Sequence, residues 1–269
     1  MNRKGLFFTL GLGLFAFAIL SLSIVASRHF GSYDDRFIEM IAFNRMSDLD
    51  MSLQDSIREL FIADSGITIG ITSTQVTFDQ KLPLDLADFN QSMKEFNDYV
   101  NSNDRNIYMD LSEARNSLPL RIKPNDILYS QNVSQRSITI MPTSMNIAGY
   151  SISVNLGNSQ NITSCSKTSA EGAYNMTIEV IGSNGTSCTM TWLADISLNN
   201  NLTANGISVA TIPGGGIKVT TPGTNTTVSS TVRLQSAGED LPAAYLPDNI
   251  ISIRLAALEL YKNGTVKLA

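Results

Sequence analysis

Two thiols, one imidazole and 24 carboxylates are the side chains of this 269-residue chain with chemistry to offer. Cys165 and Cys188 are its only cysteines. An even pair in an oxidising compartment bridges, and this bridge would close a loop of about 22 residues, worth about 2–4 kcal/mol. One histidine and two cysteines cannot supply a four-ligand zinc site. A nucleophile–histidine arrangement would need His29, the sole histidine, at a cleft. Asp48, Asp50, Ser52, Gln54, Ser56 and Glu59 have the spacing of a calcium loop, but the position that needs glycine for the turn holds Leu53. Gly214-Gly215-Gly216-Ile217-Lys218 lacks phosphate-loop spacing and reads as a turn. Facing carboxylates, as in glycoside hydrolysis, are the one enzyme alternative, and acids are sparse and dispersed after residue 136. No catalytic residue, metal or cofactor is assigned. A net charge of -5 argues against a nucleic-acid partner, which calls for a basic surface.

Glycosylation is the modification chemistry that the sequence offers most often. Asn-X-Ser/Thr occurs at Asn90, Asn132, Asn161, Asn175, Asn184, Asn201, Asn225 and Asn263, never with proline in the middle. Composition alone would give about five such acceptors. Asn184 and Asn263 fall in expected turns.

The segment before these residues sets their compartment. Arg3 and Lys4 precede an uncharged run from Gly5 to Ser27, closed by Arg28. About 20 apolar residues span a bilayer as a helix. The basic flank lies on the short side, which puts the N-terminus in the cytoplasm and the rest outside. The expected localisation is therefore the cell membrane, single-pass, with the bulk of the chain extracellular. Three fates are open: a retained anchor, a cut after Val25-Ala26-Ser27, or a cut before the apolar run at Lys4, Gly5 and Leu6.

The start MNRKGLFFTLG resembles the class III signal peptides of type IV pilin-like proteins, particularly archaeal ones. The resemblance covers residues 1 to about 27. It implies cleavage after Gly5, with the apolar helix kept as anchor or filament core. Many bacterial members carry Glu five residues into the mature chain, where this sequence has Leu10.

Residues 34–64 read as an amphipathic helix, with Phe37, Ile41, Leu49, Leu53, Ile57 and Phe61 at four-residue multiples. It suits either a pilin-like stalk or a helix packed on a sheet. Ile67, Ile69 and Ile71 alternate as a strand, and Leu86, Phe89, Met93, Phe96 and Val100 mark a second helix. After residue 136 the pattern has period two. It is seen at Ile138/Ile140, Ile152/Val154/Leu156, Met176/Ile178/Val180 and Cys188/Met190/Trp192, with Trp192 read as core. Gly182-Ser183-Asn184-Gly185 and Lys262-Asn263-Gly264-Thr265 separate runs as hairpin turns.

The expected fold class is thus α+β: an N-terminal transmembrane helix and helical stalk, then a mainly antiparallel β-sandwich head. The expected divisions are 1–27 anchor, 28–66 stalk, 67–135 mixed α/β region and 136–269 sandwich, the head folding alone from about residue 66. The expected function is a membrane-anchored extracellular protein without catalytic activity, a pilin-like subunit or adhesion module. A stand-alone carbohydrate-binding sandwich is the alternative. The partners implied are membrane lipid through residues 5–27, and like subunits or other surface proteins.

Overall fold

Strands dominate because inward apolar and outward polar residues alternate through far more of the chain than the last half. The computed structural model describes residues 13–24, 35–82, 87–103, 106–143, 147–157, 160–222, 226–235, 241–248, 250–255 and 259–269. The protein is mostly β, with 47% of residues in strands and few helices.

Three open, mainly antiparallel sheets form among the described residues. The first has six strands in the order β1 (Ile67–Ile71), β2 (Gln75–Leu82), β14 (Thr226–Leu234), β7 (Ile147–Asn155), β9 (Glu171–Ile181) and β10 (Ser187–Ala194). Its one parallel pair is β7 with β9. The second has eight, in the order β15 (Ala243–Tyr245), β4 (Leu120–Lys123), β5 (Ile127–Asn132), β6 (Ser137–Pro142), β13 (Gly216–Thr220), β12 (Ile207–Ile212), β11 (Asn201–Ala204) and β8 (Ser166–Thr168). The third is β17 (Leu260–Gly264), β16 (Ile251–Leu255) and β3 (Ile107–Met109).

The inward faces of the two large sheets meet. Phe78 of β2 stacks on Tyr129 of β5 with ring centroids 4.5 Å apart. The Tyr129 hydroxyl donates to Gln80 on the facing strand, and Tyr150 of β7 donates to the Gly215 carbonyl at 2.8 Å. Burial pushes both phenols well above the usual tyrosine range.

Among the described residues four α-helices accompany the sheets: α1 over 13–24, α2 (Asp35–Asp64), α3 (Ala87–Asn103) and α4 (Ser112–Ser117). On α2, Ala42, Met46, Leu49, Leu53, Ile57 and Phe61 are buried at helical spacing. That face packs on α3, where Phe61 meets Phe89 edge-on at 6.1 Å, and on β16 and β17. Phe89, Met93, Phe96 and Val100 are fully buried on α3.

The expected fold class is corrected, although the mainly antiparallel pairing it named is present. Among the described residues no helix is long and apolar enough to cross a membrane. Of the expected 5–27 segment the structure describes residues 13–24, which are helical. The flanking parts of the expected 5–27 segment lie outside the described residues. The expected stalk is a helix laid along the body, because its apolar stripe needs a protein surface to bury it. The expected sandwich head is replaced by open sheets, the two large ones drawing strands from both sides of residue 136: β1, β2, β4 and β5 come before it.

Candidate functional site

Two regions gather the residues singled out by sequence: the side of the body where β8 and β10 end their sheets, and the outer faces of the N-terminal helices.

The first is built around the disulfide. Cys188 lies on β10, the edge of the six-stranded sheet, and Cys165 immediately precedes β8, the edge of the eight-stranded one. They are bonded, with Cα atoms 5.8 Å apart. The bridge therefore ties the two sheets along one open side. Around it, segment 160–168 makes few apolar contacts and many polar ones. Asn205, at φ 48° beside Gly206 at φ 80°, turns β11 into β12. Its Oδ1 accepts from the Thr163 and Ser164 amides at 3.0 and 3.2 Å, and its Nδ2 donates to the Asn161 carbonyl at 2.6 Å. Asn200 is fully buried. Its Oδ1 accepts from the Ala170 amide at 2.7 Å and from Trp192 Nε1 at 3.2 Å, and its Nδ2 donates to the Asp195 carbonyl at 2.8 Å. Trp192 is half-buried and packs against the core, as its alternation suggested, and its indole N–H donates to Asn200 Oδ1. The Ser197 hydroxyl and amide both donate to Asp195, which holds its carboxyl below the usual range.

The sequons are dispersed. Asn161 and Asn184 meet: Asn161 Oδ1 accepts from Ser183 Oγ at 2.6 Å and from Asn184 Nδ2 at 3.4 Å. Asn184 (φ 56°) and Gly185 (φ 73°) make the tight link between β9 and β10, where side-chain-free or amide residues tolerate left-handed backbone. Asn132 is exposed at the end of β5 and accepts from its own sequon's Ser134 hydroxyl at 2.8 Å. Asn175 is exposed on β9. Asn201 is half-buried on β11, its amide donating to Thr203 at 3.2 Å. Asn90 is half-buried on α3, with a buried Oδ1. Asn263 is exposed within β17; the turn expected at 262–265 is strand, and Glu259 at φ 53° precedes β17. Asn225, and the processing residues Lys4, Gly5 and Leu6, lie outside the described residues, as does His29.

The second region is apolar and outward. On α1, Leu14, Phe17 and Ile24 are buried, whereas Phe15 (65% exposed), Ile19 and Leu22 (73%) face out at four- and three-residue spacing. Ser21 and Ser23 donate their hydroxyls to the carbonyls of Phe17 and Ile19, so both are satisfied within the helix. On α2, Met40, Met51 and Ile62 are exposed on the face away from the buried stripe, and Phe43 is exposed at its margin.

Sequence reasoning missed one pair. Asp50 is buried, and Lys262 Nζ donates to its Oδ2 at 2.9 Å and to Ser47 Oγ at 3.2 Å. Gln54 Nε2 adds a third bond at 2.9 Å. Gly264 makes room: a Cβ there would lie 2.2 Å from Asp50 Oδ1. The calcium-like series that contains Asp50 lies on continuous helix, with Asp50 turned to this lysine. The signal was present, since Asp50 falls among Met46, Leu49 and Leu53 on the stripe that must be buried. A carboxylate there requires a partner.

No protein-family model, curated protein or solved structure matches the chain. The fold and these two regions are therefore what a functional reading rests on.

Proposed function

We propose that this is a pilin-like or adhesive protein of the cell surface that works by assembly and binding and not by catalysis. Residues 5–27 would meet membrane lipid, and residues 28–269 would face outward. The observation that carries the reading is the outward apolar face of the N-terminal helices. Large exposed apolar side chains are costly in water, and several on one pair of helices mark a surface that something covers. On α1 they come with serines whose hydroxyls are already bonded, as a lipid-facing helix needs. On α2 those at Met40, Phe43, Met51 and Ile62 suit like subunits or neighbouring surface proteins. The bonded cysteines suit an oxidising compartment, and the exposed sequons at Asn132, Asn175, Asn184 and Asn263 suit acceptors on an exported surface.

The test is the mature N-terminus in the native host, read together with sheared surface material. A chain that starts at Leu6 and is found in filaments is the expected result. A chain beginning at Arg28 and free in the medium would sink the reading.

A further inference from the structure

Sheet edges carry unpaired backbone donors and acceptors, and proteins blunt them with charge, brevity or a covering segment. Of the six edges among the described residues, five are blunted in one of those ways. β15 is covered by the C-terminal segment: Ala244 N–H donates to the Ala269 carbonyl, Leu268 N–H to the Ala244 carbonyl and Leu246 N–H to the Val266 carbonyl. β3 is covered by a side chain of α3, since Asn101 bonds both the amide and the carbonyl of Met109, at 2.9 and 2.7 Å. β8 has three residues and Lys167 at its centre. β17 carries Lys262 and packs against α2.

The six-stranded sheet is different. Its edge β1 is uncharged but short, with Gly70 inside it, and glycine weakens a strand. Its edge β10, Ser-Cys-Thr-Met-Thr-Trp-Leu-Ala, is eight residues long without a charge or a proline, and pairs only with β9 among the described residues. Ser187, Thr189, Thr191 and Leu193 are exposed on its outer face, Leu193 by 54%. The disulfide ties the strand on its buried side at Cys188, and the pairing with β9 is regular from Ser187 to Leu193, with a register shift before Ala194.

We infer that β10 is a self-association edge: two copies of this chain pair antiparallel through it about a twofold axis at Met190. The backbone asks for an extended strand, and the side chains specify which one. In this register Thr189 lies opposite Thr191 of the second copy, and Thr191 opposite Thr189. A Thr–Thr pair of this kind already joins two strands on the same face of the sheet, Thr77 of β2 and Thr231 of β14, hydroxyls 3.1 Å apart. Beside it runs a row of aligned hydroxyl residues, Thr77, Thr231, Ser151, Thr177 and Thr191, one from each successive strand. A twofold at β10 continues that row into the second copy. An uncharged strand meets its own copy without like-charge repulsion, which a charged edge cannot do. The inference does not rest on the helix-face reading, since the surfaces are separate.

The experiment is sedimentation of the full-length chain in detergent micelles, for the wild type and two double variants, with circular dichroism and melting on each. Thr189→Lys with Thr191→Lys sets lysine against lysine twice and should weaken association about tenfold or more. It should fold normally, because residue 189 sits opposite Glu179 on β9. Thr189→Lys with Thr191→Glu sets lysine against glutamate twice and should restore association. Amide exchange of the wild type should give β10 protection that rises with protein concentration. A wild type that stays monomeric overturns the proposal, as does association that the lysine pair leaves unchanged or that the lysine–glutamate pair fails to restore. Capture of a foreign strand on β10 without self-association overturns it too. If Met51→Lys with Ile62→Lys abolishes association and the β10 variants do not, the helix face is the interface and this proposal fails while that reading stands.

Discussion

The two flanks of this protein hold their elements by different physics. On the flank where β8 and β10 end, segment 160–168 is almost wholly exposed, and a disulfide with side-chain amides does the holding. On the helical flank, α2 is held by a buried apolar stripe and one ion pair to a buried acid. A polar loop gains little from burial, so a covalent tie acts where the hydrophobic effect cannot. A helix with six buried apolar side chains among its described residues needs no such tie, and its cost appears elsewhere, as an acid that must be neutralised within the interface.

Breaking the helical flank should have the largest effect. Residues 66–269 without α2 would bare Phe89, Met93, Phe96 and Val100 of α3 and the inner side of β16–β17. That fragment should aggregate or melt without cooperativity, contrary to the expectation that the head folds alone from about residue 66. Size-exclusion chromatography and calorimetry decide it; a monomer with a sharp melt would show α2 to be dispensable. Within the full chain, Phe61→Ala should cost about 3–5 kcal/mol, since a fully packed aromatic leaves a cavity against Phe89.

Reducing the disulfide should come next. The cysteines are 23 residues apart, so the chain-entropy contribution is about 3 kcal/mol. Cys165→Ser with Cys188→Ala should lower stability by about that amount. It should raise amide exchange first in residues 160–171 and β10, leaving α2 and α3 protected. Uniform loosening across both flanks would erase the contrast drawn between them.

The ion pair should matter less than either. Lys262→Met leaves Asp50 buried without its cation. A fully buried pair broken this way costs about 3–5 kcal/mol, but Lys262 keeps 28% of its side chain exposed and water can replace part of it, so about 2 kcal/mol is expected. Replacing Asp50 by Asn in the same chain should recover most of it, because the buried charge is then gone. If the single change costs nothing in chemical denaturation, the pair is incidental to the flank.

How far the sequence disclosed this follows the same division. Strands with purely apolar inward positions, such as Ile152 and Val154 on β7 or Ile178 and Val180 on β9, were legible from period-two alternation. β2 and β5 were not. Their inward rows read Val76, Phe78, Gln80, Leu82 and Ile127, Tyr129, Gln131, so a glutamine interrupts each. The Tyr129 hydroxyl bonds both glutamines, Gln131 on its own strand and Gln80 across the sheets, and the second partnership is invisible to local pattern. The disulfide was legible from the even cysteine count. That it joins two sheet edges was not, since strand order is a property of the whole fold. Lys262-Asn263-Gly264 looked like a turn because Asn-Gly favours one. Pairing of β17 with β16, together with the close approach of Asp50 to Gly264, overrode that preference.

The smallest effect tests the interior that both flanks enclose. The Tyr129 and Tyr150 phenols are pushed above the ordinary tyrosine value of about 10 by burial, which disfavours the phenolate. Below about pH 10 both states of the chain carry both protons, and the contribution is fully present. Above it the unfolded chain releases them while the folded chain keeps them. The unfolded state then binds fewer protons, and stability falls as pH rises toward the raised folded values. Denaturant titrations between pH 8 and about 11.5 should therefore show stability flat to about pH 10 and declining beyond it. Tyr129→Phe should lower stability modestly at pH 8, by about 1 kcal/mol, because Gln80 and Gln131 lose the hydroxyl they share. It should also make the alkaline decline shallower. An unchanged slope in Tyr129→Phe would mean that the phenol titrates alike in both states, so that the interface between the sheets admits water where it is drawn as dry.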